Sequence, residues 1–147
     1  MFDYIRASID RKIPAMVFRL SKEEWIKLGL DEMSAELISG YLLELENQGF
    51  PLLDHLRSMP LDRSEGRLDY AKRLFDELPA GITHFIIHPS KETDEIKAIS
   101  PDWESRVGDY RLMMDDEIFN YLKDKGIHVI GYNYIKQQFQ QSVINIS

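Results

Sequence analysis

The chain has 147 residues, 44% of them hydrophobic, which fits one domain with a sizeable core of its own. Its formal charge of −7, with no cluster of Lys and Arg set apart from the acids, argues against a nucleic-acid binder. The absence of cysteine excludes disulfides, zinc–thiolate sites and a cysteine nucleophile, and leaves the redox compartment unmarked.

In chain order, Ile13-Pro14-Ala15-Met16-Val17-Phe18 is a short apolar run whose length favours a strand, with Pro14 near its start where a missing N–H is tolerated. Ser21-Lys22-Glu23-Glu24 has the form of a capping box, in which the Ser21 hydroxyl and Glu24 carboxylate satisfy each other's backbone N–H groups, so a short helix follows. From residue 34 to 48, Leu37, Ile38, Tyr41, Leu42 and Leu45 recur at helical spacing, and Gly49 offers a left-handed stop. Residues 50–56 are a further strand candidate. A second helix over residues 67–78 turns Leu68, Ala71, Leu74, Phe75 and Leu78 to one side before Pro79.

The run from Gly81 to Pro89, continuously apolar from Phe85 to Ile87, is the clearest strand and suits one covered on both faces. The next helix opens with Asp115, Asp116 and Glu117 and closes with Lys123, Lys125 and Gly126, charges that oppose the helix dipole at both ends. Residues 127–132 form another strand, and a last helix covers 134–141 with a polar tail beyond. No repeat or linker breaks the chain, so residues 1–147 are expected to form a single domain. Alternating strands and helices indicate an α/β fold in which residues 13–18, 85–88 and 127–132 are neighbouring parallel strands. No apolar run approaches the roughly 20 residues that span a bilayer, and Met1-Phe2-Asp3-Tyr4 does not open like a signal peptide. A soluble chain without membrane association or targeting segment is expected.

In parallel α/β folds the C-terminal strand ends form the functional rim, because side chains there leave the packed interior. His88 stands at such an end. An unperturbed imidazole, with a pKa of about 6.5, suits general acid or base work near neutral pH, and the competing role is a strand-end histidine bonded to backbone. His84 and His88 are spaced for a shared metal on a helix, but on a strand they stand about 13 Å apart and cannot hold one ion. Asp54 and His55 leave a short apolar run together; side chains of adjacent strand residues diverge, so at most one enters any one pocket. The segment from Ile99 to Tyr110 gathers three acids, Arg106, Trp103 and Tyr110 in an expected loop and helical turn. Its aromatic rings can stack on sugars or cap the core, and Arg106 can bind a carboxylate or orient a loop.

Taken in order, Lys12-Ile13-Pro14-Ala15-Met16, Gly49-Phe50-Pro51-Leu52-Leu53-Asp54-His55, Leu78-Pro79-Ala80-Gly81-Ile82-Thr83-His84-Phe85-Ile86-Ile87-His88-Pro89, Glu95-Ile96-Lys97-Ala98-Ile99, Asp102-Trp103-Glu104-Ser105-Arg106-Val107-Gly108-Asp109-Tyr110 and Lys125-Gly126-Ile127-His128-Val129-Ile130-Gly131-Tyr132 cover most of the chain. This ordered set resembles the YdjC-like carbohydrate deacetylases, polysaccharide deacetylase-like relatives within the NodB-type barrel group. The resemblance implies a partial, distorted (β/α) barrel of the glycoside hydrolase/deacetylase type and hydrolysis of the amide C–N bond of N-acetyl amino sugars with a divalent metal. By the same resemblance His88 protonates the leaving amine, while Asp54, His55, Trp103 and Arg106 belong to the substrate wall.

The family's early paired aspartates and the histidine motifs that follow them have no counterpart. Asp3 and Asp10 do not reproduce the pair, and no histidine precedes His55. The expectation is therefore the C-terminal portion of a deacetylase, lacking the barrel's N-terminal strands, binding no metal and inactive by itself. The alternative is a noncatalytic carbohydrate-binding or assembly module derived from that fold. Either form leaves an unpaired sheet edge and uncovered apolar faces, which predicts a homo-oligomer or a missing N-terminal half as partner, beside a carbohydrate ligand.

Overall fold

Eight helices, α1 (Phe2–Arg11), α2 (Lys22–Lys27), α3 (Glu32–Asn47), α4 (Arg67–Asp76), α5 (Asp94–Ile99), α6 (Trp103–Met113), α7 (Asp116–Asp124) and α8 (Tyr132–Gln141), hold 55% of the residues that the computed structural model describes, 1–141. Among the described residues only β1 (His55–Ser58) and β2 (Thr83–Ile86) stand beside them, paired in parallel as one two-stranded sheet. This balance overturns the expected α/β chain with a partial (β/α) barrel: the fold is mostly helical, and two four-residue strands cannot form a barrel wall. The expected polar tail, 142–147, lies outside the described residues.

The reason lies in where backbone hydrogen bonds go. In the 13–18 segment, the Ile13 N–H is tied back to the Ser8 carbonyl at 3.0 Å, which caps α1, and Pro14 has no N–H to give. Only one isolated parallel bridge, Phe18 with Leu53, survives; in it Leu53 donates to Val17 and Arg19 donates to Leu53, both at 2.8 Å. In the 127–132 segment, Gly126 at φ 70 closes α7, and the Ile127 N–H bonds to the Leu122 carbonyl at 2.9 Å. Val129 and Ile130 follow at 69% and 42% exposure, with no sheet over them, and Tyr132 already opens α8. Apolarity alone does not make a strand; it needs a ladder partner. Residues 83–86 find one in β1. Each is half-buried, however, so β2 is not enclosed on both faces.

The chain forms two compact units, Met1–His55 with the stretch from Ile130 onward, and Leu56–Val129. In the first, α1, α3 and α8 enclose Ile5, Ile9, Leu42, Leu45, Phe50 and Phe139. The rings of Phe50 and Phe139 meet edge to face at 5.3 Å; fully burying each contributes about 1.5–3 kcal/mol. The Ser21 capping box forms as expected, with Ser21 N donating to Glu24 Oε2 at 2.8 Å and Glu24 N to Ser21 Oγ at 3.2 Å.

In the second unit, Met59, Ala71, Phe75, Leu112, Ile118 and Leu122 form the core, and Phe85 and Ile87 pack against it from the β2 segment. Phe75 and Phe85 lie 4.8 Å apart. Because strand side chains alternate, His84 and Ile86 occupy the opposite face. No helix among the described residues is long and apolar enough to cross a membrane.

Candidate functional site

His88 lies just past the end of β2, where the chain turns from the core of the second unit toward α5. Its backbone N–H is not used by the sheet. It donates instead to Asp109 Oδ2 on α6 at 2.9 Å. Asp109 is 0% exposed because it shares an inward face of α6 with Ser105 and Leu112, at helical spacings of four and three residues.

A carboxylate buried this fully needs a counter-charge, and Arg67, at the start of α4, provides it. The Arg67 side chain is 6% exposed, and its Nη2 forms an ion pair with Asp109 Oδ1. Its Nη1 donates to the carbonyls of Pro60 at 2.8 Å and Arg63 at 2.6 Å. Every oxygen of the Asp109 carboxylate is thus engaged, and the guanidinium that holds it is itself anchored to the turn before α4. Gly108 makes the crossing possible. A Cβ at this position would overlap Arg67 Cδ and lie 3.3 Å from Nε.

A second bond fastens the same corner. Ser90 N donates to the Arg106 carbonyl at 3.1 Å, so the residues on both sides of Pro89 are tied to α6. The His88 Nδ1 atom is buried with no hydrogen-bond partner within the protein. The backbone of the residue is held, while one ring nitrogen stays free of intramolecular bonds.

The other candidates are distributed as follows. Arg106 Nε and Nη2 engage Asp102 Oδ1 and Oδ2 at 2.8 and 3.0 Å, and Nε also reaches Ser100 Oγ at 3.1 Å. Trp103 carries the Lys97 ammonium over its ring at 5.1 Å. Asp54 pairs with Arg19 Nη1 at 2.8 Å, and His55 opens β1. His88, Trp103 and Arg106 therefore share the second unit, whereas Asp54 and His55 end the first stretch of the other. None of the five lines the open recess of about 410 Å³ in the first unit, which is walled by Tyr4, Ile13, Met16, Tyr132 and Lys136.

Arg106, and secondarily the Ser100 hydroxyl, pull the Asp102 carboxyl down from 3.8 to about 2. A folded-state value below the unfolded one means the pair contributes stability above the ordinary carboxylate range and loses it as pH falls through about 2. The side-chain ¹³C resonance of Asp102 should accordingly titrate near pH 2. A midpoint at the ordinary value of 3.8 would show that the ion pair does not form in solution.

Arg67 and Asp109 are the residues that sequence reasoning missed as a pair. They are 42 positions apart, beyond any helical or strand spacing. One local signal existed: Gly108 inside a helix costs about 1 kcal/mol relative to Ala, a penalty that suggests something must pass close by.

The divalent ion implied by the deacetylase resemblance does not fit the residues present. Among the described residues no three His, Asp or Glu side chains converge as a ligand set. The carboxylates beside the candidate residues are already held, Asp109 by Arg67, Asp102 by Arg106 and Asp54 by Arg19. No family model matches the chain, and no curated protein matches it.

Proposed function

We propose that the chain is a portion of a YdjC-like carbohydrate deacetylase, to which it supplies His88 as the proton donor for the departing amino-sugar nitrogen. The carrying observation is the state of His88: its backbone N–H is locked to buried Asp109 while ring Nδ1 has no intramolecular partner. Hydrolysis of an N-acetyl group takes up one water, breaks the amide C–N bond and releases acetate and an amine. The nitrogen departs readily only when protonated, and a positioned imidazole is the side chain most often used for that transfer. The ordered segments around His88-Pro89 and Trp103-Glu104-Ser105-Arg106 supply the sugar-deacetylase part of the reading.

Two measurements test it. Titrating N-acetylated chito-oligosaccharides into the isotope-labelled chain should move resonances of His88 and the first turns of α6. A polypeptide extended by a segment with the paired aspartates and upstream histidines should release acetate in a chelator-sensitive way, and His88→Ala should slow it at least about 100-fold. The chain by itself is expected to show no such turnover. Normal turnover in the His88→Ala protein removes His88 from the chemistry, and sugar binding without turnover in the extended protein points instead to a carbohydrate-binding module.

A further inference from the structure

We propose that Asp109, held by Arg67, is a positioning residue for His88, setting the direction of the imidazole through the backbone rather than by touching the ring. This rests on His88 being the proton donor of the reading above. The chain of contacts is continuous: the carbonyls of Pro60 and Arg63 hold Arg67 Nη1, Arg67 Nη2 holds Asp109 Oδ1, and Asp109 Oδ2 holds the His88 N–H. Rotation of the carboxylate would break the ion pair. Movement of the guanidinium would give up both carbonyls. Next along the chain, Pro89 has a restricted φ and no N–H, and Ser90 N is fastened to the Arg106 carbonyl. The Cα–Cβ bond that carries the imidazole is therefore fixed from both directions.

Stability alone is a poor reason for this arrangement. A buried ion pair is frequently no more stabilising than apolar residues of equal volume, because desolvation offsets the attraction. What two apolar side chains cannot do is accept the His88 N–H at a point where the sheet has ended. The carboxylate does this, and the guanidinium holds it in place.

The test compares two double variants of the whole chain, each lacking both charges. Arg67→Met with Asp109→Leu removes the acceptor for the His88 N–H, whereas Arg67→Met with Asp109→Asn keeps a carbonyl oxygen in its place. Both should melt close to the parent. In the leucine pair the His88 amide should exchange about 10-fold faster or more, and the ring ¹³C resonances of His88 should shift; the asparagine pair should restore both. Unchanged exchange and ring resonances in the leucine pair would overturn the proposal, as would failure of the asparagine pair to restore them.

A measurement on the unmodified chain guards against a variant that does not fold. Through-hydrogen-bond coupling between the His88 amide and the Asp109 carboxyl carbon should be detectable, and its absence would also overturn the proposal. None of these readouts needs sugar or turnover. Failure of the deacetylase reading would show as normal acetate release by the His88→Ala protein, with the positioning result unaffected.

Discussion

Asp109→Leu alone should lower the stability of the second unit by about 3–5 kcal/mol, the cost typical of breaking a buried pair from one side. Arg67 would remain 6% exposed with its guanidinium charged, since arginine does not release its proton in proteins, and its remaining partners would be two neutral carbonyls. The His88 N–H would lose its acceptor as well. The result separates this residue from an ordinary core position, because adding Arg67→Met should recover most of the loss by removing the stranded cation. Urea unfolding can be followed by fluorescence of Trp103 in a Trp25→Phe background, since the two tryptophans lie in different units. A loss below about 1 kcal/mol, the range of a solvent-exposed ion pair, would show that the pair is hydrated in solution.

The same distinction between local and distant interactions explains how far the sequence could be read. α2, α3, α4 and α7 were legible because their signals sit within a few residues of each other, as in the Ser21–Glu24 box of α2 or the acidic start and Gly126 stop of α7. α1 was overlooked although Ile5, Ser8 and Ile9 stand on one face, because it ends on Lys12 in a left-handed conformation with no glycine to mark it. Strands carry no such internal marker. Residues 13–18 and 127–132 are as apolar as the β2 segment, but the first N–H of each, on Ile13 and Ile127, closes α1 and α7 instead of joining a ladder. The barrel expectation failed on that point.

The site was legible to the same extent. His88 could be singled out by its place at the end of an apolar run. The Asp102–Arg106 pair was readable as an i, i+4 spacing, although that spacing does not tell whether the guanidinium is left for a ligand; in the structure it is taken up by Asp102 and Ser100. Arg67 and Asp109 required the fold, since only the packing of α4 beside α6 brings them together.

Gly108→Ala gives the second large effect and the one whose sign is most informative. Helix propensity by itself favours Ala over Gly by about 1 kcal/mol inside a helix, so Gly108 considered only as a helical residue predicts stabilisation. The structure predicts the reverse. The new Cβ would overlap Arg67 Cδ, in the middle of a side chain whose far end is fastened to Pro60, Arg63 and Asp109. Relief by shifting α6 costs about 1–3 kcal/mol, typical of overpacking. Relief by expelling the guanidinium approaches the buried-pair loss of about 3–5 kcal/mol. A net destabilisation of at least about 1–2 kcal/mol is therefore expected after allowing for propensity. The control is the same substitution in a chain carrying Arg67→Ala with Asp109→Leu, where neither the stem nor the charge remains. There Gly108→Ala should be neutral or stabilising by up to about 1 kcal/mol, and the difference between the two backgrounds measures the contact between Gly108 and the Arg67 stem. Equal effects in both backgrounds would mean that Arg67 does not cross α6 at Gly108, and with that the bridge from α4 to His88 would be lost.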